Sequence, residues 1–110
     1  MDTLSAPEFL PTLQKGTRFF THPILLINYA NPLSNAQLAK IGFTVPKRYL
    51  KKAVHRNRIK RVMRAVVQEM LKNQPKIFTG WIIFSYTDKT VLPFEVIKNA
   101  MLQCIQKMQE

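Results

Sequence analysis

One cysteine, six acidic residues and two histidines are all that 110 residues carry of the side chains most enzymes use for chemistry. Cys104, being alone, can form no intramolecular disulfide and no cysteine-based zinc site, which fits a reducing cytosol and a packed thiol. The acids are Asp2, Glu8, Glu69, Asp88, Glu95 and Glu110, scattered along the chain with two at its ends. A two-metal nuclease needs its carboxylates clustered, and nothing in this spacing assembles such a centre. His22 and His55 could in principle serve as general base and acid of a metal-free nuclease. His22 adjoins Pro23 at a strand entry, however, and His55 opens a basic helix, where it adds partial charge beside phosphate. No apolar run approaches membrane-spanning length, and the first residues have neither a basic nor an apolar targeting segment. The expectation is a soluble, unexported, cytoplasmic chain.

What the chain has in excess is positive charge. Lysine and arginine number 17, giving a formal charge of +11 and a pI near 10.2. Nine of them fall in one stretch that no acid interrupts: Lys47, Arg48, Lys51, Lys52, Arg56, Arg58, Lys60, Arg61 and Arg64. The same stretch runs into a helical pattern, with Ile59, Val62, Met63, Val66, Val67, Met70 and Leu71 forming a core-facing stripe. Arg56, Lys60 and Arg64 step by four along the other side, with Asn57 and Arg61 beside them. A solvated charged face is the plain alternative. Such faces mix signs, because like charges at i, i+4 repel by a few tenths of a kcal/mol. Here the repulsion is uncompensated, so the missing partner is an external polyanion, and a nucleic-acid backbone suits the length of the run. Membrane binding would need exposed apolar residues opposite the charges, and this helix needs its stripe for the core. Arginine's planar fork matches phosphate oxygens, so Arg56, Arg58, Arg61 and Arg64 are expected to position a nucleic-acid backbone and Lys60 to neutralise it. Asn57 can either cap local backbone or contact sugar or base.

With 46% hydrophobic residues the chain folds, and its length suits one domain spanning residues 1–110, without linker or repeat. Ser5-Ala6-Pro7-Glu8 reads as a capping box opening a short helix through Phe9 and Leu13, stopped at Gly16 and weakened by Pro11. Aromatic and β-branched residues dominate Thr17 to Tyr29, with Ile24 to Ile27 a buried strand. Asn31 to Asn35 is a turn. A strand runs from about Leu38 to Val45, with Ile41, Phe43 and Val45 on one face and Lys40, Gly42 and Thr44 on the other. The long helix ends near Lys72 to Pro75, and Trp81 to Phe84 is a strand buried on both faces. Pro93 precedes a last helix whose stripe is Val96, Ile97, Ala100, Met101, Cys104, Ile105 and Met108. The resulting class is an α/β sandwich (α+β), a small mixed sheet of about four strands with order α-β-β-β-α-β-α. Phe43, Trp81 and Phe84 are assigned to its core.

Ala53-Val54-His55-Arg56-Asn57-Arg58-Ile59-Lys60-Arg61-Val62-Met63-Arg64 closely resembles the Arg-Asn-Arg signature of the bacterial ribonuclease P protein subunit. Lys40-Ile41-Gly42-Phe43-Thr44-Val45-Pro46-Lys47-Arg48 resembles the strand preceding that signature, at matching spacing, and Phe9 with Lys15-Gly16 resembles the region of the family's first helix. Ala65 stands where the family carries an acid. The resemblance implies a non-catalytic protein that binds a catalytic RNA and the 5′ leader of precursor tRNA. That RNA removes the leader with Mg²⁺, and no obligate protein partner is expected. It also implies a leader cleft between the first helix and one sheet face, for which Phe9, Leu13, Ile27, Thr44 and Lys47 are the matched positions. Aromatics and aliphatics at such spacing are more often plain core. Finally it implies a left-handed strand–helix–strand connection through the signature helix, against a general rule that such crossovers are right-handed in about 98% of cases. A ribosomal or general RNA-binding protein is the alternative reading, and an autonomous nuclease the third.

Overall fold

A computed structural model describes residues 2–30 and 39–110. In chain order it contains β1 (Asp2–Thr3), α1 (Ala6–Lys15), β2 (Thr17–Thr21), β3 (Ile24–Tyr29), β4 (Lys40–Thr44), α2 (Ala53–Asn73), β5 (Trp81–Tyr86) and α3 (Phe94–Gln109). The expected turn at 31–35 and the first residue of the expected third strand lie outside the described residues. The strands form one sheet in the order β1-β4-β5-β3-β2. β1, β4 and β5 run parallel, while β5–β3 and β3–β2 are antiparallel. The expected order is met, with β1 added; a two-residue strand carries no alternation for a sequence to display.

Alternation along the strands divides the side chains between two layers. Ile24, Leu26, Ile41, Ile82, Phe84 and Tyr86 face α2 and α3 and pack with Ile59, Met63, Val67, Ile97 and Met101. Burying side chains of this size contributes about 1.5–3 kcal/mol each, and this layer is the main core. Val96, expected in the α3 stripe, is instead 42% exposed, one residue off the edge of the Ile97–Met101–Cys104–Ile105 strip that the sheet covers. The opposite face holds a smaller cluster of Leu4, Ile27 and Ile83, with Phe9, Leu13, Leu25 and Trp81 against it. Phe84 is fully buried as expected, and Phe43 is half-buried against the main core. Trp81 is half-buried on the α1 face, edge-on to Tyr29 at 5.9 Å between centroids.

The hand of the crossover follows from L-residue chirality. With β4 running upward and the α2 layer toward the viewer, a residue whose side chain points forward, such as Ile41, directs its N–H and C=O to the right. The Ile41 carbonyl accepts from Leu4 N (3.3 Å), whereas the Lys40 N–H, pointing the other way, donates to Gly80 O (3.0 Å). β1 therefore lies to the right of β4 and β5 to the left. The path up β4, down α2 in front and up β5 moves leftward, so the connection is left-handed, against the general rule.

Local devices fix the helices. Ser5 donates to Glu8 Oε1 from both its backbone N–H (2.9 Å) and its hydroxyl (2.7 Å), opening α1. Pro11 removes one backbone donor, and the Thr12 hydroxyl supplies another, to the Glu8 carbonyl at 2.9 Å. Gly16 closes α1 in an extended conformation, so the need for glycine there is close approach: a Cβ would meet Ile27 Cγ2 and Thr12 O at 2.5 Å. The edge strand β2 is held from α3, where Lys107 Nζ donates to Phe20 O (2.7 Å) and Thr21 Oγ1 (3.0 Å). Arg18 on the same strand donates to Leu13 O (2.8 Å). Cys104 is buried as expected, its thiol directed at Phe19 O and Ile24 O, and burial raises its pKa.

Candidate nucleic-acid interface

Residues 46–52 carry the chain from β4 into α2 through a tight turn in which Tyr49 N and Leu50 N both donate to Pro46 O (3.0 and 3.3 Å). Leu50 anchors the turn in the core at 3% exposure. Its other anchor is Arg56, whose Nη1 donates to Leu50 O (2.9 Å) and Lys51 O (2.7 Å). Sequence periodicity put Arg56 among the outward cations; in the structure its guanidinium folds back and pins the connector. Arg56 and Lys60 are half-buried flanks of α2, because Ile59, Met63, Val66 and Val67 centre the buried strip closer to them than an i, i+4 count suggests. The outward side is formed by Asn57, Arg58, Arg61 and Arg64, all exposed. Arg64 also lies over the Phe43 ring at 5.6 Å, which ties its stem to β4.

α2 starts without a capping side chain at Lys52 and without an acid in its first turn. Among the described residues, none of the nine cations in 47–64 forms an ion pair; the pairs present are His22–Asp88, Lys40–Glu8 and Lys98–Glu69. A 21-residue helix that begins with its amide dipoles uncapped, carries five of these cations and follows the other four attracts anions along its exposed side. Asn57 makes no side-chain hydrogen bond among the described residues, leaving its amide available to solvent or ligand.

On the other face of the sheet α1 crosses β3 and β5. Phe9 and Leu13 are half-buried and lean on Ile27, which is 1% exposed and thus floors the contact. Gly42 lets Phe9 approach β4, since a Cβ there would meet Phe9 Cζ at 2.5 Å. Thr44 is half-exposed on the same side of β4, and Lys47 is exposed just beyond the strand end. The structure thus brings Phe9, Leu13 and Ile27 together, and sets Thr44 and Lys47 further along β4.

The position of α1 depends on a contact the sequence does not display. Lys40 Nζ reaches Glu8 Oε2 at 2.8 Å, spanning from β4 to the first turn of α1. The hydrogen bond from Lys40 and that from the Ser5 backbone hold the Glu8 carboxyl down at about 2. His22, in the β2–β3 turn, pairs with Asp88 Oδ2 at 2.9 Å, so the two histidines sit on separate elements. Asp88 Oδ1 accepts from Thr90 N (2.8 Å) and Oγ1 (2.6 Å), and these bonds lower its pKa. No group of three metal-ligating side chains forms among the described residues. No helix among them is long and apolar enough to cross a membrane.

A mixed sheet with a left-handed crossover and a basic helix without acidic partners among the described residues defines a small α/β protein with a strongly cationic face. The chain belongs to the ribonuclease P family, whose model, described as "Ribonuclease P", matches residues 3–109. It is 35% identical over 75 residues to the "Ribonuclease P protein component" of Microcystis aeruginosa (strain NIES-843 / IAM M-2473), a match covering 67% of this chain and 60% of that relative. Its fold is similar to that of the Staphylococcus aureus RNase P protein, with a TM-score of 0.77 at 18% identity over 98% of this chain and 94% of that one. The Thermotoga maritima RNase P protein superposes with a TM-score of 0.74 at 16% identity, over 97% of each chain.

Proposed function

We propose that this chain is the protein component of a bacterial ribonuclease P, a non-catalytic subunit that binds the catalytic RNA and the 5′ leader of precursor tRNA. The observation that carries this reading is the exposed row Asn57, Arg58, Arg61 and Arg64 within nine cations lacking acidic partners. Arginine forks on a rigid helix fix phosphates in register, while Lys51, Lys52 and Lys60 neutralise the approach. The α1 face, with Phe9 and Leu13 rimmed by Thr44 and Lys47, offers a stacking surface with basic charge at one end, which suits a single-stranded leader. The protein's carboxylates do not fit a magnesium centre, so hydrolysis and its Mg²⁺ are assigned to the RNA. What the chain's own side chains do is orient RNA and screen its charge. Such a subunit works in the cytoplasm and needs no second protein.

The test is to add the protein to its cognate RNA subunit at low Mg²⁺ and follow 5′ cleavage of precursor tRNA. Cleavage restored by protein, with none from protein alone, is expected. Cleavage by protein alone would make it an autonomous nuclease. Equal affinity for leader-bearing and leaderless precursor, without restored cleavage, would make it a general RNA-binding protein.

A further inference from the structure

One concavity collects cations that the function just described uses only as bulk charge. It is an open hollow of about 470 Å³ between the 46–52 connector and the loop joining β5 to α3. Arg48, Tyr49, Lys51, Lys52 and His55 line one side and Lys89 the other, with Leu50 between them. Among the described residues no carboxylate lines it. The nearest acid in sequence, Asp88, is committed to Thr90 and His22. Cations from two segments distant in the chain therefore converge on one space with nothing of opposite sign in it.

Both walls are fixed. Arg56 pins the connector through Leu50 O and Lys51 O. The Lys89 loop is held by Tyr86, whose hydroxyl donates to Thr90 O (2.7 Å) and accepts from Leu92 N (3.1 Å). Repulsion among the lining charges is thus not relieved by the walls moving apart, and an anion relieves it instead. The volume lies within the roughly 300–1,000 Å³ of ligand-enclosing pockets, more than one phosphate needs. Half-buried Tyr49 adds a ring with the Arg48 guanidinium 5.1 Å from its centroid. The guanidinium lies over one face of that ring and, being on an exposed side chain, extends the stack outward, and arginine planes and aromatic rings are the surfaces on which unpaired bases stack.

We propose that this hollow binds one unpaired RNA nucleotide, its base against Tyr49 and Arg48 and its flanking phosphates on Lys51, Lys52 and Lys89. The inference rests on the RNA-binding reading above and adds a second contact surface. The same chemistry is available from the catalytic RNA and from the precursor leader, and the test separates them. Lys89→Ala, Tyr49→Leu and, as a variant outside the hollow, Arg61→Ala are titrated with the catalytic RNA. Each is then assembled into holoenzyme and titrated with precursor tRNA bearing a long or a one-nucleotide leader, at several salt concentrations. Lys89→Ala is expected to lower the magnitude of the salt slope by about 0.7 for the RNA that supplies the nucleotide, and not for the other. Tyr49→Leu is expected to weaken binding of that same RNA roughly five- to a hundredfold with the slope unchanged. Should Tyr49→Leu lower the melting temperature, the exposed Lys89 decides alone. Wild-type binding of both RNAs by Lys89→Ala and Tyr49→Leu, with Arg61→Ala still lowering the slope, would overturn the hollow and leave the proposed function standing. No effect from any of the three variants would overturn both.

Discussion

Arg56 and Arg61 sit five residues apart in one basic helix, yet the structure gives them different work and the difference is measurable. Arg56 Nη1 makes two charge-assisted bonds, to Leu50 O and Lys51 O, one partly buried and one exposed. Bonds to charged groups contribute about 1.5–3 kcal/mol each when protected from solvent, and the exposed one less. Arg56→Ala should therefore destabilise by about 1–3 kcal/mol. A 110-residue chain unfolds with an entropy of about 0.23 kcal/mol/K, so the melting temperature should fall by about 4–13 °C. Arg61→Ala removes an exposed side chain that has no partner among the described residues, and its stability should change by no more than about 0.5 kcal/mol. It should instead lower the magnitude of the salt slope for the catalytic RNA by just under one unit. Arg56→Lys should recover only part of the loss, since an ammonium lacks the guanidinium fork. Thermal melts and salt-dependent binding isotherms of the three variants decide. An Arg56→Ala protein that melts with the wild type, and loses salt slope as Arg61→Ala does, would refute the anchoring role.

Glu8 is ionised well below its ordinary value of 4.5, so its pair with Lys40 stabilises the fold above that pH and is lost as pH falls toward about 2. Urea midpoints should fall over that window in the wild type and fall less in Glu8→Gln. Gly42→Ala should cost about 1–3 kcal/mol through the Phe9 ring, and markedly less in a Phe9→Ala background, a coupling that a double-mutant cycle of melts reads directly. Sulfate should raise the melting temperature beyond chloride at equal ionic strength, because an anion bound only by the native protein stabilises it by about 2.7 kcal/mol at a hundred times its Kd; equal shifts would leave screening alone.

The parts of this fold that repeat along the chain were legible in it. The α2 stripe declares itself at Ile59, Met63, Val66 and Val67, and the alternation of β4 assigns Ile41 and Gly42 to their faces. Contacts that join distant segments were not. Glu8 is recognisable as a capping residue, but its bond to Lys40, 32 residues away, depends on where α1 crosses the sheet. His22 and Asp88, 66 residues apart, are equally silent. Arg56 was misplaced because periodicity fixes an angle around a helix, not the path of the connector before it. The crossover's hand was also beyond periodicity, since an alternating pattern reads the same in either mirror image, and it came from the Arg-Asn-Arg resemblance. Of the candidate site, Arg58, Arg61 and Arg64 were readable as outward charge, whereas Lys89 enters the hollow only through tertiary folding.

The bond from Lys107 of α3 to β2 bears on how the protein behaves once its charge is spent. Free copies of a chain at +11 repel one another, and that repulsion keeps sheet edges from meeting. Bound RNA would cancel most of it, and a bare edge strand with exposed Phe20 would then be a template for self-association. Lys107 of α3 occupies the Phe20 carbonyl of that edge, and Arg18 turns from β2 to the Leu13 carbonyl of α1, both apart from the basic helix. Lys107 guards the edge by occupying it, a protection that neutralising the net charge would not remove, and β1 at the other edge is too short to need it.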